Sequence, residues 1–233
     1  METIGILGGM GPLATADLFR KIICYTDAHC DNDHIHILID NNTEIPDRTS
    51  HIIGGGEDPL PMLVDSALRL EVLGAQLIVM PCNTAHYYYQ RIKQFLHVPF
   101  LNMIEETAAA IKTARPPIER VGLLATPGTY AAGIYEEVFQ RFGITVVQPD
   151  EAQQAVVNDV IYGVKSGNEP DGDGFRTVLR QLKAKDVQAF VLGCTELPIA
   201  WEALKLQEFA IDPTAILAKS TIRAVGKKVK GEA

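Results

Sequence analysis

The 233-residue chain lacks what a membrane protein or a nucleic-acid binder needs. No apolar run approaches the roughly 18 residues that cross a bilayer. The opening "METIGILGGMGP" has no basic segment before its apolar run, so the cytoplasm is the expected compartment. Positive charge is in deficit: 21 Lys and Arg stand against 29 Asp and Glu, for a formal net charge of -8. Such a surface repels nucleic acid and anionic lipid, and neither is expected as a partner. A small anionic substrate is still allowed where local Arg or Lys outweigh the global field. Cysteine is scarce as well. Cys24, Cys30, Cys82 and Cys194 are too sparse for a disulfide scaffold, so each must be filler, metal ligand or reactive group.

What is present is an alternation of apolar runs and amphipathic stretches. "TIGILGG" reads as a buried strand, and a helix follows from Pro12 with Leu18, Phe19, Ile22 and Ile23 on one face. "HIHILID" reads as a strand and "DPLPMLVDSALRLEVLG" as a helix. "AQLIVMPCN" is a strand, "HYYYQRIKQFL" opens a helix, and "VPFLN" is a short strand. This order predicts parallel sheet covered by helices.

The pattern then repeats. Val121-Gly122-Leu123-Leu124 matches Ile4-Gly5-Ile6-Leu7 at an offset of 121 − 4 = 117. "VQAFVLGCTELP" matches "AQLIVMPCNTAH", with the cysteines 194 − 82 = 112 apart. "FAIDPTAILAKSTIR" resembles "VPFLNMIEETAAAIK" at 209 − 98 = 111. The expected fold is therefore α/β, with two similar half-domains, each a parallel sheet flanked by helices, and the active site in the cleft between them. Residues 1–98 with 212–233 form the first expected unit and 99–211 the second. The loop-like stretch is "KSGNEPDGDG" at 165–174, and the tail "KKVKGEA" is expected to fray.

Cys82 and Cys194 each end an apolar strand just before a helix, the edge at which open α/β sheets bind ligands. A helix N-terminus is expected to lower a thiol pKa from about 8.5. Two thiols facing one small molecule suit a two-base inversion, in which one removes a proton from a stereogenic carbon and the other returns one from the far side. Three blander readings compete. Free cysteine is often buried filler. A disulfide needs Cα atoms within about 6.8 Å, too close to admit a ligand between them. Zinc needs a ligand spacing that neither cysteine shows, and no metal is expected.

The stretch "GGMGPLA" also raises a dinucleotide reading, because Gly9, Gly11 and Ala14 fit G-x-G-x-x-A. Asp40 lies 40 − 14 = 26 residues after Ala14, which is tolerable. Pro12, however, removes an N–H from the turn, and a dinucleotide site explains no paired cysteine. Backbone N–H groups of residues 8–11, Met10 and Gly11 among them, are expected to approach a small carboxylate instead.

"IGILGGMGPLAT", "NNTEIPDRT", "MPCNTAH" and "LGCTELP", in this order through nearly the whole chain, resemble the aspartate/glutamate racemase family and its aspartate racemases in particular. The resemblance implies a homodimeric racemase independent of pyridoxal phosphate, with no cofactor, Cys82 and Cys194 as the acid/base pair, and an acidic amino acid as substrate. It implies that Asn83, Thr84 and Thr195 bind the substrate's α-carboxylate or ammonium. Asp47 and Arg48 of "PDR" and Lys165 after the "IY" pair would line the site. Arg suits a bidentate grip on a carboxylate. Glutamate racemases carry a histidine where Glu196 stands and an Asp-Ser pair where Met10-Gly11 stand. Both departures favour aspartate, and they make Glu196 the candidate partner of Cys194. Thr126 and Thr129 of "ATPGT", the counterpart of the first loop, are further candidate donors. Racemisation of glutamate or another acidic amino acid, or a cysteine-dependent decarboxylase or isomerase, is the nearest alternative. A non-catalytic nucleotide- or ligand-binding protein is the alternative of another class.

Overall fold

The structure, a computed structural model, describes residues 3–169 and 171–232. In chain order the first half runs β1 (Ile4–Gly8), α1 (Pro12–Tyr25), β2 (Ile37–Asn41), α2 (Arg48–Ile53), α3 (Leu60–Val72), β3 (Leu77–Val79), α4 (Tyr89–Lys93) and α5 (Met103–Lys112). The second runs β4 (Arg120–Ala125), α6 (Pro127–Ala132), α7 (Ile134–Arg141), β5 (Thr145–Val147), α8 (Glu151–Lys165), α9 (Gly172–Lys183), β6 (Ala189–Gly193), α10 (Leu197–Ala203), β7 (Ala210–Ile211) and α11 (Pro213–Ala224). All strand pairs are parallel, in the orders β2-β1-β3 and β5-β4-β6-β7. The central strands β1 and β6 are buried along their whole length, as parallel strands covered on both faces must be.

The repeat seen in the sequence is a repeat of register. Ile4 pairs with Leu77, and Val121 with Ala189. These are the same pair at offsets of 121 − 4 = 117 and 189 − 77 = 112. The third block is corrected by one residue. "VPFLN" makes only an isolated bridge, Ile78 to Phe100, whose counterpart is Phe190 to Ala210, so the offset is 210 − 100 = 110. The caps agree: Asn102 and Asp212, again 110 apart, accept the first N–H groups of α5 and α11. Such a cap is worth about 1 kcal/mol, so a polar residue is kept at both places.

Each repeat packs its last helix against the other sheet. Leu217, Ala218 and Ile222 of α11 join Ile4, Leu18 and Ile22 in the core beside β1. Ile104, Ala108 and Ile111 of α5 join Val121, Leu123 and Val191 beside β4. This exchange clamps the halves together without a flexible linker.

Two local expectations are corrected. The tail does not fray over residues 227–232: Val229 is buried and bridges Thr26, and Lys230 donates its N–H to Tyr25 O at 2.7 Å. Apolar Val229 and two backbone bonds outweigh the entropy of a free end. The stretch 165–174 is not loop at its two ends, because Lys165 ends α8 and Gly172 opens α9.

A buried cation secures the return of α11. Lys21 of α1 contacts Asp17 at 2.5 Å and the capping Asp212 at 2.7 Å. Burial works to lower its pKa, but the two carboxylates outweigh it and the net shift is upward. Removing one member of a buried charge network leaves the others uncompensated. Lys21→Met is expected to lower unfolding free energy by about 2 to 3 kcal/mol, discounted for the partial exposure of the carboxylates. Urea denaturation measures this, and an unchanged midpoint would contradict it.

Candidate active site

The carboxyl edges of the two sheets meet at a small polar cavity of about 20 Å³. Cys82, Asn83 and Thr84 reach it from the segment after β3. Gly193, Cys194, Thr195 and Glu196 reach it from the equivalent segment after β6. Met10 comes from the loop after β1, Asp47, Arg48 and Thr49 from the start of α2, Thr126 from the loop after β4, and Lys165 from the end of α8. Both cysteines are therefore in the wall of one cavity. The four cysteines are free thiols, Cys82 and Cys194 buried and Cys24 and Cys30 exposed, so the pair is not a disulfide. Among the described residues, no cluster of His, Cys, Asp and Glu forms a metal-binding group.

The surroundings of Cys194 correct the expected pKa. Its Sγ donates to Glu196 Oε2 at 2.9 Å, and Thr195 Oγ1 donates to the same oxygen at 3.1 Å. Burial and the adjacent carboxylate push the thiol well above its ordinary value, against the opposing pull of Lys165. The expected lowering by the helix does not occur, because α10 begins with a carboxylate at its N-cap and no solvent screens it. Lys165 lies 4.0 Å from Glu196 Oε1. Burial acts to lower its pKa, but Cys194 and Glu196 outweigh that, so it remains a cation.

Asp47 and Arg48 divide their tasks. Asp47 caps α2, accepting from Ser50 N at 2.7 Å and Ser50 Oγ at 2.9 Å. Burial disfavours its charge, yet these bonds and the charges of Arg48 and Lys165 lower its pKa overall. The Arg48 guanidinium donates to Ile45 O, Pro46 O and, at 3.5 Å, Met10 O. Its buried Nε has no partner among the described residues.

The first glycine loop departs from expectation at Gly9. Gly9 N–H donates to Thr15 Oγ1 at 2.9 Å, inside the loop rather than towards a ligand. Gly9 has φ +94°, and any side chain there would collide with the backbone of Asn42. Met10 lines the cavity and offers its carbonyl to Arg48, while Gly11 does not line it and serves as the N-cap of α1. Thr129 also stands behind the wall. Its hydroxyl lies 2.9 Å from that of Thr84 and 3.2 Å from that of Thr126, which are 3.1 Å apart. Three hydroxyls in a triangle can each donate to the next, closing the seam between the halves without an orphan proton.

Sequence reasoning missed Thr49 and Gly193, which adjoin the "PDR" and "CTE" residues and could have been taken with them. It also missed Gly128: a Cβ there would lie 2.8 Å from Thr49 Cα, so glycine lets α6 press against α2 and brings Arg48 to the seam. Tyr135, whose hydroxyl donates to Asn83 Oδ1 at 2.5 Å, had no sequence signal beyond that of a core aromatic.

Residues 7–221 match the Asp/Glu/hydantoin racemase family. The chain belongs to that family. It is 33% identical over 225 residues to the broad specificity amino-acid racemase RacX of Bacillus subtilis, covering 94% of this chain and 96% of that protein. Its fold resembles the Picrophilus torridus aspartate racemase with a TM-score of 0.85 and 33% identity, over 99% of this chain and 96% of that one. A glutamate racemase from Francisella tularensis, solved with D-glutamate, shares the fold at a TM-score of 0.70 and 18% identity, over 97% of this chain and 81% of that one. The two-half α/β architecture and the racemase class expected from the sequence stand with these findings.

One histidine of this family member is structural. His86 Nδ1 lies 2.8 Å from Cys82 O, and its Nε2 accepts the Met103 N–H at 3.0 Å. The ring thus ties the Cys82 backbone to the start of α5 and must be neutral to accept. Burial lowers its pKa to about 4. The unfolded chain takes up this proton near pH 6.5, well before the folded one. Its stability contribution is therefore complete above about pH 6.5 and is lost, by about 3 kcal/mol, as pH falls towards 4. Denaturation between about pH 7 and pH 4 should show a shallower decline for His86→Gln than for the wild type. Equal slopes would refute the assignment.

Proposed function

We propose that this chain interconverts the enantiomers of an acidic amino acid, aspartate foremost, without pyridoxal phosphate or a metal. The observation that carries the reading is the placement of two free, buried thiols in the wall of one cavity that also holds two cations and two carboxylates. Residues 1–98 with 212–233 make one lobe and 99–211 the other, and each lobe supplies one thiol.

In the proposed cycle one sulfur, as thiolate, takes the α-proton and the other, as thiol, returns a proton from the opposite face. Afterwards the two have exchanged protonation states, and the enzyme is set for the other enantiomer. Charge developing on the α-carboxylate is held by the Asn83 amide, whose Nδ2 has no other partner among the described residues, and by the hydroxyls of Thr84 and Thr195 once they turn from Thr126 or Thr129 and from Glu196. Arg48 and Lys165 hold the second carboxylate of the substrate, and Asp47 and Glu196 balance its ammonium. Glu196 keeps Cys194 protonated until its proton is needed. The name of the Bacillus subtilis relative makes a panel of amino acids the right assay, but the two cations favour a second substrate carboxylate over an apolar side chain.

Cys82→Ala and Cys194→Ala should each reduce racemisation of aspartate by roughly 10²- to 10⁴-fold, read by circular dichroism of the substrate and by α-deuterium uptake from D2O. Undiminished turnover in either variant would end the two-base reading. Glu196→Gln tests the carboxylate. Loss of its charge lowers the Cys194 pKa, so the basic limb of the kcat/KM profile should move to lower pH. Because the equilibrium constant of racemisation is unity, kcat/KM must fall equally in both directions. A basic limb that does not move would remove Glu196 from the mechanism.

A further inference from the structure

We propose that Tyr135 is a positioning residue: its hydroxyl crosses the seam between the halves, behind the cavity wall, and holds the Asn83 amide with both N–H groups free for a substrate carboxylate. The proposal deepens the reading of the cleft as a carboxylate site and rests on it.

Tyr135 stands on α7, in the second half, and is fully buried. Its ring packs edge-on against Phe139 at 5.3 Å between centroids, which fixes the direction of the hydroxyl. That hydroxyl lies 2.5 Å from Asn83 Oδ1, from the first half. Burial, with Asp212, Cys194 and Glu136 nearby, keeps the phenol well above its ordinary pKa, so it carries its proton throughout the working range. The amide orientation with oxygen towards Tyr135 is selected because Asn83 Oδ1 is the only acceptor of the buried phenol proton among the described residues; with the amide reversed the phenol oxygen could accept, but its own proton would be left without a partner. The NH2 group is thereby turned away from Tyr135.

Asn83 is 3% exposed, lines the cavity, and its Nδ2 is buried without a partner among the described residues. Buried amide groups without a partner are uncommon in folded proteins. Here the missing acceptor is what a bound carboxylate supplies. Asn83 and Tyr135 are 52 residues apart and come from different halves, so this donor is correctly set only when the halves are together.

The test is a double-mutant cycle of Tyr135→Phe and Asn83→Ala in the full-length protein. Phenylalanine keeps the ring packing and removes only the hydroxyl. Succinate, a dicarboxylate with no ammonium, is titrated by calorimetry, and KM and kcat are measured for both enantiomers of aspartate. Tyr135→Phe is expected to raise the succinate Kd and the KM by about 5- to 20-fold, with a smaller change in kcat. In the Asn83→Ala background the same change should add less than about twofold, because the two residues act as one unit. Additive losses, or an unchanged Kd in Tyr135→Phe, overturn the proposal. A merely structural tyrosine would lower the melting temperature and leave Kd unchanged. Should Tyr135→Phe fail to fold, the Asn83 side-chain amide of the wild type is followed by 15N NMR, assigned by its loss in Asn83→Ala. Its resonances should shift on addition of succinate, and unmoved resonances overturn the proposal. A wild type that binds succinate in this pattern but exchanges no α-deuterium with any amino acid would defeat the functional reading and leave this one standing. A racemase whose KM and Kd ignore Tyr135 would do the reverse.

Discussion

Thr84 of one half stands within 3.1 Å of Thr126 and within 2.9 Å of Thr129 of the other. A few ångströms of polar seam decide whether this molecule has a site at all. Each group in the cavity wall belongs to one half or the other, and a cavity closed on both sides exists only while the seam holds. The seam is polar because it borders the cleft, where water or a substrate must be accommodated. It is tight because α2 and α6 touch through Gly128, and because α5 and α11 are exchanged between the two cores. Apolar packing behind the seam supplies most of the cohesion, and the hydroxyl triangle supplies the geometry.

The cavity is an electrostatic compromise. Two cations and two carboxylates are gathered at one rim; Glu196 is buried, Arg48 is half-buried, and Asp47 and Lys165 still reach water, so the carboxylate of Glu196 would be the costliest alone. Asp47 is stabilised by its capping bonds, Lys165 by Glu196 and Cys194, and Arg48 by three backbone carbonyls. In the cavity wall two buried donors, Arg48 Nε and Asn83 Nδ2, have no partner among the described residues. Such groups lower stability in the empty protein and sharpen preference for a ligand that can satisfy them. The two thiols are not equivalent either. The pseudo-symmetry of the backbone places them alike, but a carboxylate adjoins Cys194, whereas the matching position after Cys82 is Thr84.

Much of this architecture could be read from the chain. The offsets of 117 and 112 are strand registers, because parallel strands repeat their apolar runs when the same sheet is built twice. The carboxyl-edge position of both cysteines follows from the same rule. Errors came where a single local cue was trusted. The helix N-terminus at Cys194 suggested a lowered pKa, and burial together with Glu196 at the cap reverses it. The charged tail suggested fraying, and one buried valine anchors it. The glycine loop suggested N–H donors for a ligand at residues 8–11, and Thr15 of α1 takes the one at Gly9.

The amino-acid sequence alone determined the α/β class, the doubled design, the two cysteines and most of the polar residues around them, because these depend on periodicity and on short motifs. Only the tertiary structure decided which polar atoms meet. The Asn83–Tyr135 bond, the threonine triangle and the close approach at Gly128 join residues far apart in the chain. The hydroxyl of a tyrosine in a helix or the absent Cβ of a glycine has no distinctive local pattern. Its role is set by the residue that the folded chain brings against it.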